Sequence, residues 1–487
     1  MSYTNEKLQE YLTFLHGKTA SVIGVGISNI PLIGFLLDAG VKVTARDKKP
    51  MEKLAANPKL DVEGLQKRGV TFVTGDAYLE NITDEIVFKS PGVRYDKPEI
   101  LEAVKNGALI TSEMEAFLSL CPSKVIAVTG SNGKTTTTTL ISEILKNAGH
   151  RVFVGGNIGR PLLSQISEIT PEDFTVLELS SFQLHTVNRF ENKGLPFAHI
   201  SFPTVGVITN ISPNHLDWHT DMDEYADSKR AVFTHMAKGG TVVTNRISDD
   251  YCARYAKEAE AEGRTVRLFS AHDGEFSHGA CLANDGERIL IDGKCVLTRS
   301  DIILPGLHNV ENYMTAILAT RDYVTDEAIV KTARTFPGVP HRMEFVAKKN
   351  GVTFYNGSID SSPSRTVAAL SCFGEAYDGK ICLILGGYDK HIPFEPIAEP
   401  ILKKRIRCFI AGATADAITS AIKASPLYTV DAPLTRCVNF DDAVKAAAAA
   451  AKDGDIVLLS PACASFDEFD NFEQRGERYK KIVEEIK

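Results

Sequence analysis

The sequence lacks the features that mark membrane and secreted proteins. None of its apolar runs approaches the roughly 20 residues that span a bilayer. The first segment, MSYTNEKLQEYL, has no apolar core of a secretory signal. The 9 cysteines are scattered, odd in number and without a Cys-x-x-Cys pair, which favours a reducing compartment over disulfides or zinc. We therefore expect a cytoplasmic protein that does not bind membranes.

A basic surface is missing as well. The chain has 54 lysines and arginines against 62 acidic residues, for a net charge of −8, and no basic stripe. This argues against nucleic acid as a partner. With 44% hydrophobic and 24% charged residues, the composition is typical of a globular protein. The length of 487 residues predicts about three domains at roughly 150 residues each.

Short apolar strands alternate with helical stretches along the whole chain, which predicts parallel sheets covered on both faces. The predicted strands form three series, at 19–25, 41–45, 71–74 and 85–88, at 124–129, 151–154, 175–179, 204–209 and 240–244, and at 381–385, 406–410 and 455–459. We expect an α/β protein with three domains, over residues 1–120, 121–336 and 337–487. Irregular segments at 121–123 and 336–340 mark the boundaries, Asn350-Gly351 predicts a hairpin turn, and 270–300 predicts a hairpin insertion.

The strongest chemical signal is a glycine loop between a strand and a helix. It comprises Gly130, Ser131, Asn132, Gly133, Lys134, Thr135 and Thr136. Backbone N–H groups of such a loop bind phosphate, while its lysine reaches the β- and γ-phosphates and its threonine holds Mg²⁺. Val128 stands where the common motif has its first glycine. The alternative is a tight structural turn with a solvated lysine.

A second glycine turn, Gly24-Val25-Gly26, follows the first strand and resembles a dinucleotide fingerprint without its third glycine. Asp47 follows the next strand, where a ribose-binding acid belongs. A purely structural turn and a nucleotide-like ligand without nicotinamide both remain open. A dehydrogenase is disfavoured because the third glycine is missing.

Two further positions carry ligand chemistry. Glu178 ends a predicted strand, where a carboxylate is well placed for Mg²⁺, although a carboxylate paired with a base is the alternative. The segment NISPNHLDWH (210–219) places His215, Asp217 and His219 in one loop, which could hold a metal. Lys229, further along in a predicted helix, would by itself be taken for a surface lysine.

Two loops in the last third follow apolar strands and have the position of ligand loops. They are GGYDKH (386–391) and LSPACASFD (459–467). Cys463 invites a nucleophile interpretation, but a buried small hydrophobic residue is favoured.

Taken together, the motifs resemble the Mur ligase family over nearly the whole chain. The matching segments are TGSNGKTT, GGNIG, ELSSFQL, NISPNHLDWH, LPGLHNVEN, FPGVPHRME and LLSPACASFDEFDNFEQRG. The last segment is similar to that of the members that add D-glutamate to UDP-N-acetylmuramoyl-L-alanine. The resemblance implies a Rossmann-like N-terminal domain for the UDP substrate, a phosphate-loop ATPase-like central domain, and a Rossmann-like C-terminal domain for the amino acid.

The resemblance also implies the activity. It predicts ATP-dependent amide formation through an acyl phosphate, in peptidoglycan precursor synthesis and thus in cell-wall growth, cell shape and cell division. It implies two Mg²⁺ ions and a carbamylated Lys229. A monomer is expected.

Individual roles follow from the same resemblance. Lys134, His215 and Lys229 are implied as catalytic, and Thr135, Glu178, His215 and Lys229 as metal ligands. Beyond the phosphate loop, Asn309, Asn312 and Arg342 are implied to contact the nucleotide. The residues implied for the UDP substrate and its path are Ser28, Asp47, Ser90, Pro91, Gly92, Asn157 and Ser180. Those implied for D-glutamate are Lys390, Ser465 and Phe472.

One segment departs from the family pattern. Gly357 occupies the place of an acidic residue that helps to bind the nucleotide, and Asp360 follows three residues later. We hypothesise that Gly357, through a positive φ, bends the loop so that Asp360 replaces the missing carboxylate. The alternative is that Asp360 is merely solvated.

Other functions remain as alternatives. Within the family, the chain could add L-alanine or extend folates, although the SPACASFDEF segment disfavours both. From another class, it could be a nucleotide-regulated binding protein without turnover. The full metal set disfavours that function.

Overall fold

The chain folds into two compact units, one of residues 1–296 with 312–329 and one of residues 297–311 with 330–487. The computed structural model describes residues 3–187, 202–247 and 249–486. Within these stretches lie three mostly parallel sheets flanked by helices, which confirms the predicted α/β class. The three domain ranges stay a prediction.

The first unit begins with a five-stranded parallel sheet in the order β3-β2-β1-β4-β5. Its strands are β1 Thr19–Ile23, β2 Lys42–Asp47, β3 Thr71–Thr74, β4 Ile86–Lys89 and β5 Leu109–Thr111. Its helices are α1 Glu6–Leu15, α2 Asn29–Asp38, α3 Met51–Ala55, α4 Val62–Lys67, α5 Pro98–Lys105 and α6 Glu113–Leu120. The strand order reverses between β1 and β4, and the loops after these strands therefore flank a crevice at the carboxyl edge, where ligands of such sheets bind.

A nine-stranded sheet follows, in the order β14-β13-β12-β11-β10-β9-β6-β8-β7. Its strands are β6 Lys124–Thr129, β7 Val152–Gly156, β8 Phe174–Glu178, β9 Val205–Ile208, β10 Thr241–Asn245, β11 Thr265–Ser270, β12 Ala280–Leu282, β13 Arg288–Ile291 and β14 Lys294–Thr298. The helices of this stretch are α7 Lys134–Asn147, α8 Ser181–Val187, α9 Met222–Thr234, α10 Asp250–Ala261, α11 Leu307–Thr320 and α12 Asp326–Thr335. Because β6 lies between β9 and β8 in parallel register, the loops after these three strands meet at one edge.

The second unit contains a six-stranded sheet in the order β15-β16-β20-β17-β18-β19. Its strands are β15 Glu344–Lys349, β16 Val352–Asn356, β17 Ile381–Leu385, β18 Arg407–Ile410, β19 Leu434–Arg436 and β20 Ile456–Leu459. Its helices are α13 Pro363–Ser371, α14 Glu395–Lys403, α15 Ala415–Lys423, α16 Phe440–Ala450 and α17 Phe472–Glu485. β15 and β16 form an antiparallel hairpin whose turn residues, Asn350 and Gly351, have φ values of 51° and 76°. The predicted two-residue turn is confirmed.

The apolar strands lie in the cores. In the central strands β6, β8, β9, β17 and β20, nearly every residue is buried, as expected for parallel strands covered on both faces. The predicted insertion at 270–300 is antiparallel, but its strands extend the nine-stranded sheet rather than standing apart from it. No helix of the described stretches is long and apolar enough to cross a bilayer.

Candidate active site

The phosphate loop connects β6 to α7 through two glycines that no other residue could replace without strain. Gly130 has a φ of 139° and Gly133, the N-cap of α7, has a φ of 79°. A Cβ on Gly130 would collide with Thr209 Oγ1, and one on Gly133 with Asn312 Oδ1. The glycines therefore let β9 and α11 approach the loop closely. The turn directs the N-terminus of α7 toward the carboxyl edge of the sheet, an arrangement suited to phosphate.

Two lysines converge on this loop. Lys134 Nζ donates to the carbonyls of Gly130 (2.9 Å) and Ser131 (3.0 Å), and Lys229 Nζ donates to Gly130 O at 2.8 Å. Lys229 is only 1% exposed on α9, which corrects the interpretation of the isolated residue as a surface lysine. Burial, reinforced by the charge of Lys134, holds the pKa of Lys229 well below its usual range, although the nearby Glu178 opposes the shift.

Glu178 lies at the end of β8, beside the phosphate loop. Its Oε1 accepts a hydrogen bond from Asn157 Nδ2 at 2.9 Å. Its Oε2 is buried and has no hydrogen-bond partner among the residues that the structure describes. A buried carboxylate oxygen without a donor is costly unless a cation binds it. Together with the Thr135 hydroxyl at the start of α7, this oxygen fits a hard divalent cation.

The two histidines of the loop after β9 lie in different surroundings. His215 is exposed with a φ of 55°, and partial desolvation together with Lys229 lowers its pKa, leaving the neutral imidazole that metal ligation needs. His219 is buried, and its Nε2 lies 3.0 Å from Ser181 Oγ. The expectation that both histidines of this loop could serve one metal is not supported by this arrangement.

His219 belongs to a different cluster. Within the described residues, His185, His219 and Glu224 have potential ligand atoms within 4.8 Å of one another. The guanidinium of Arg94, however, donates to both carboxylate oxygens of Glu224, at 3.0 and 3.1 Å. A metal here would have to displace that cation.

The loops after β1 and β4 meet across the crevice of the first sheet. Gly24 has a φ of 86°, and a Cβ there would lie 2.8 Å from Ser90 Cβ. Asp47 Oδ2 accepts the N–H of Val25 at 2.7 Å, and its Oδ1 accepts that of Lys49 at 2.8 Å. The carboxylate of Asp47 thus holds the glycine turn itself, and any contact with a uridine stays a prediction.

The remaining residues implied for the UDP substrate lie in loops after β1, β4 and β8. Ser28 precedes α2, Pro91 and Gly92 follow Ser90, and Ser180 follows β8. Asn312 Oδ1 accepts from Thr137 Oγ1 at 3.2 Å and lies beside Gly133 of the phosphate loop. Its contact with a nucleotide stays a prediction.

In the second unit, the loops after β17 and β20 lie side by side, joined by a hydrogen bond of 2.9 Å from Tyr388 N to Ala464 O. These loops carry Lys390 and Ser465. Lys390 is exposed, with Nζ 3.3 Å from Ser361 Oγ, and Ser465 is buried. Phe472 begins α17, and its carbonyl accepts a hydrogen bond from Ser358 Oγ.

Further residues of the second unit have defined surroundings. Asn309 Nδ2 donates to Pro305 O at 2.7 Å, and Arg342 is exposed. Burial raises the pKa of the Cys463 thiol to about 11, which supports the interpretation as a buried small residue. Sequence reasoning missed Arg475, whose buried guanidinium donates to the carbonyls of Ser358, Cys463 and Ala464. Its only signal was its place in the NFEQRG segment.

The hypothesis that Gly357 bends its loop through a positive φ is wrong. Gly357 is not among the residues with a positive φ. A Cβ there would lie 2.7 Å from both Asp360 Oδ2 and Leu459 O. The absence of a side chain at Gly357 therefore lets these two oxygens pack close to its backbone. The alternative of a solvated Asp360 is also wrong, because Asp360 is buried and accepts from Ser460 Oγ at 2.9 Å. Burial raises its pKa to about 6. Its contact with a nucleotide stays a prediction.

Comparisons with known proteins show the family to which the chain is similar. Residues 128–320 match the Mur ligase middle domain, and residues 341–463 match the Mur ligase, glutamate ligase domain. The chain is 44% identical, over 99% of its length and 100% of the relative, to a UDP-N-acetylmuramoylalanine–D-glutamate ligase of Clostridium botulinum.

Solved structures share the fold. The UDP-N-acetylmuramate–alanine ligase of Thermotoga maritima is 17% identical with a TM-score of 0.54, covering 96% of this chain and 100% of that one. A MurF ligase of Thermotoga maritima in complex with ADP is 19% identical with a TM-score of 0.50, covering 79% and 91%.

Proposed function

The chain belongs to the Mur ligase family, and on that premise we propose that it joins D-glutamate to UDP-N-acetylmuramoyl-L-alanine at the expense of ATP. The observation that carries the proposal is the convergence of Lys134 and the buried Lys229 on one phosphate loop. Beside them lies Glu178 Oε2, which has no hydrogen-bond partner among the described residues. The D-glutamate ligase of Clostridium botulinum, similar over the full chain, supports the choice of substrates.

The first step would join two anions. The terminal carboxylate of the UDP substrate attacks the γ-phosphate of ATP, ADP leaves, and an acyl phosphate forms. This step needs fixed positive charge at the phosphates, which the Lys134 ammonium and the N-terminus of α7 supply. The amine of D-glutamate then attacks the acyl carbonyl, loses a proton, and expels phosphate. The product is an amide.

The residues at the loop fit Mg²⁺. The buried Glu178 Oε2 needs a cation, and Thr135 and the neutral His215 provide further donors. Bound Mg²⁺ would neutralise the phosphate oxygens. Lys229 fits carbamylation because CO₂ adds to a neutral amine, and the depressed pKa favours that form. A carbamate would supply a carboxylate-like ligand for a second ion.

The substrate assignments form the rest of the proposal. The loops after β1 and β4 flank the crevice where a UDP group would bind. Lys390 supplies a cation for a D-glutamate carboxylate, and Ser465 a hydroxyl. Because one chain carries every residue group that the reaction needs, we propose action as a monomer. The nucleotide substrates and nine free cysteines support a cytoplasmic location.

Amino-acid selectivity tests the proposal against other ligases of the family. Product formation from UDP-N-acetylmuramoyl-L-alanine and ATP is expected with D-glutamate, and not with L-glutamate or L-alanine. Product with L-glutamate or L-alanine instead would contradict the proposed choice of amino acid, and ATP binding without any product would favour a nucleotide-regulated binding protein.

A further inference from the structure

Arg94 and Trp218 tie two loops of the first unit together. Arg94 lies in the loop between β4 and α5, and its Nη1 donates to the carbonyl of Trp218 at 2.7 Å. In return, Trp218 Nε1 donates to the carbonyl of Gly92 at 3.1 Å. The Arg94 guanidinium also lies 5.0 Å from the centroid of the Trp218 ring. Residues 90–94 and the loop after β9 are thus joined by two hydrogen bonds, one donated from each side.

Further contacts surround Arg94 and Trp218 on the side of α9. Glu224 on α9 holds the Arg94 guanidinium with both oxygens, while its carboxylate also accepts from Thr220 N at 2.8 Å. The hydrogen bonds from Arg94 help to hold the pKa of Glu224 far below its usual range. The Trp218 ring packs against the rings of Phe182 and His185, with centroids 4.7 and 5.0 Å away.

A buried lysine also holds the loop after β4. Lys89, the last residue of β4, is 1% exposed, and its Nζ donates to the carbonyls of Ser90 (3.2 Å) and Val93 (2.6 Å). Residues 90–93 are thus fixed by Lys89 on one side and by the Arg94–Trp218 contact on the other. On the opposite loop, Trp218 N donates to the carbonyl of His215 at 3.1 Å. This hydrogen bond connects the Arg94–Trp218 contact directly to the proposed metal ligand.

We propose that Arg94 and Trp218 are positioning residues that couple the UDP-substrate loop at residues 90–92 to the loop that carries His215. This inference rests on the proposed function. Occupation of one loop restricts the other through the exchanged hydrogen bonds, and substrate binding and nucleotide–Mg²⁺ binding therefore strengthen each other by the same factor.

Calorimetry on the full chain measures this coupling. The Kd of UDP-N-acetylmuramoyl-L-alanine is determined with and without saturating Mg²⁺ and a non-hydrolysable ATP analogue. The wild type should bind the substrate at least about fivefold more tightly with the nucleotide, at the lower end of typical coupling. Trp218→Phe keeps an aromatic ring but loses the Nε1 donor, and Arg94→Gln loses the guanidinium. Both should reduce the coupling to within about twofold of none.

A matched control is Arg68→Gln, which removes an exposed ion pair between Arg68, just after α4, and Asp38, the last residue of α2. Both helices flank the five-stranded sheet. Arg68→Gln should keep the wild-type coupling. The same coupling in Trp218→Phe as in the wild type, or none in the wild type, overturns the inference. If Arg94→Gln does not fold, Trp218→Phe decides. If the wild type turns over normally and both variants keep the wild-type coupling, this inference alone is refuted. If the wild type binds no UDP substrate, the proposed function is refuted together with the coupling.

Discussion

Lys134 and Lys229 donate to the same oxygen, the carbonyl of Gly130, at 2.9 and 2.8 Å. Two ammonium groups on one acceptor repel each other, and the more deeply buried of them pays the larger desolvation cost. Burial and Lys134 accordingly depress the pKa of Lys229. On the proposed function, Lys134 would supply positive charge to phosphate, and the lowered pKa of Lys229 would favour its neutral amine form.

Lys134→Ala should lower turnover by at least about 100-fold, since electrostatic groups that stabilise a transition state are typically worth that much. The control is Lys146→Ala, which removes an exposed lysine from the same helix and should leave turnover within about twofold. Steady-state phosphate release measures both variants. Activity of Lys134→Ala within a few-fold of the wild type would mean that the loop does not bind the reacting phosphate.

Lys229→Ala should abolish activity, and high bicarbonate or short carboxylates should restore part of it, because the missing group would be an anion. Lys229→Arg should also be inactive, since a guanidinium does not form a carbamate and cannot replace the lysine. Independently of turnover, ¹³C-bicarbonate should give a carbamate resonance in the wild type that disappears in Lys229→Ala. An active wild type without this resonance would refute the carbamate.

Ser465→Ala and Phe472→Ala should raise the KM for D-glutamate much more than the KM for ATP, because contacts to one substrate act on the binding of that substrate. Ser371→Ala, an exposed serine at the end of α13, serves as the control with unchanged constants. Steady-state kinetics with each substrate varied in turn separates the effects. Equal changes for all three substrates would show that both residues support the fold rather than the ligand.

Gly357→Ala should destabilise the second unit by about 1–3 kcal/mol, the usual cost of overpacking, because its Cβ would press on Asp360 and Leu459. Gly374→Ala is the matched control, since a Cβ there meets nothing within 4 Å and its φ of −72° suits alanine. Denaturant unfolding compares the two. Equal midpoints for both variants would contradict the close approach seen at Gly357.

Glu113 should make stability depend on pH. Burial on α6 raises its pKa from 4.5 to about 7. Because the folded pKa lies above the unfolded one, its contribution to stability is complete below about pH 4.5 and is lost as the pH rises through 7, by up to about 3 kcal/mol. Glu113→Gln should remove this loss.

Denaturant unfolding from about pH 5 to about pH 8 measures the effect. The difference between Glu113→Gln and the wild type should grow in favour of the variant as the pH rises. Glu102→Gln, an exposed position on α5, should show no such trend. A constant difference for Glu113→Gln across this range would contradict the buried, protonated carboxyl.

Local patterns predicted much of the fold. The central strands are uninterrupted apolar runs, and their carboxyl ends placed Lys134, Glu178 and His215 at one edge of the sheet. The three-residue strands β5 and β19 were missed because so short a run carries no pattern. β11 was missed as well, although it pairs with β10 along its length.

Burial of single polar residues was harder to predict. Lys229 lies on the same face of α9 as the buried Tyr225, Ala226, Val232 and Phe233, a spacing that places it in the apolar stripe. That signal was present in the sequence and was not used. By contrast, the contact of Gly357 with Leu459 and the bonds of Asp47 to Val25 depend on distant parts of the chain meeting, which no local pattern reveals.

The measurement that tests the central claim most directly is phosphate release from ATP with each substrate present or omitted. Release should require UDP-N-acetylmuramoyl-L-alanine and D-glutamate together, and one D-glutamyl amide should form for each phosphate. Release at the full rate with either substrate omitted, or release without the amide, would contradict the account.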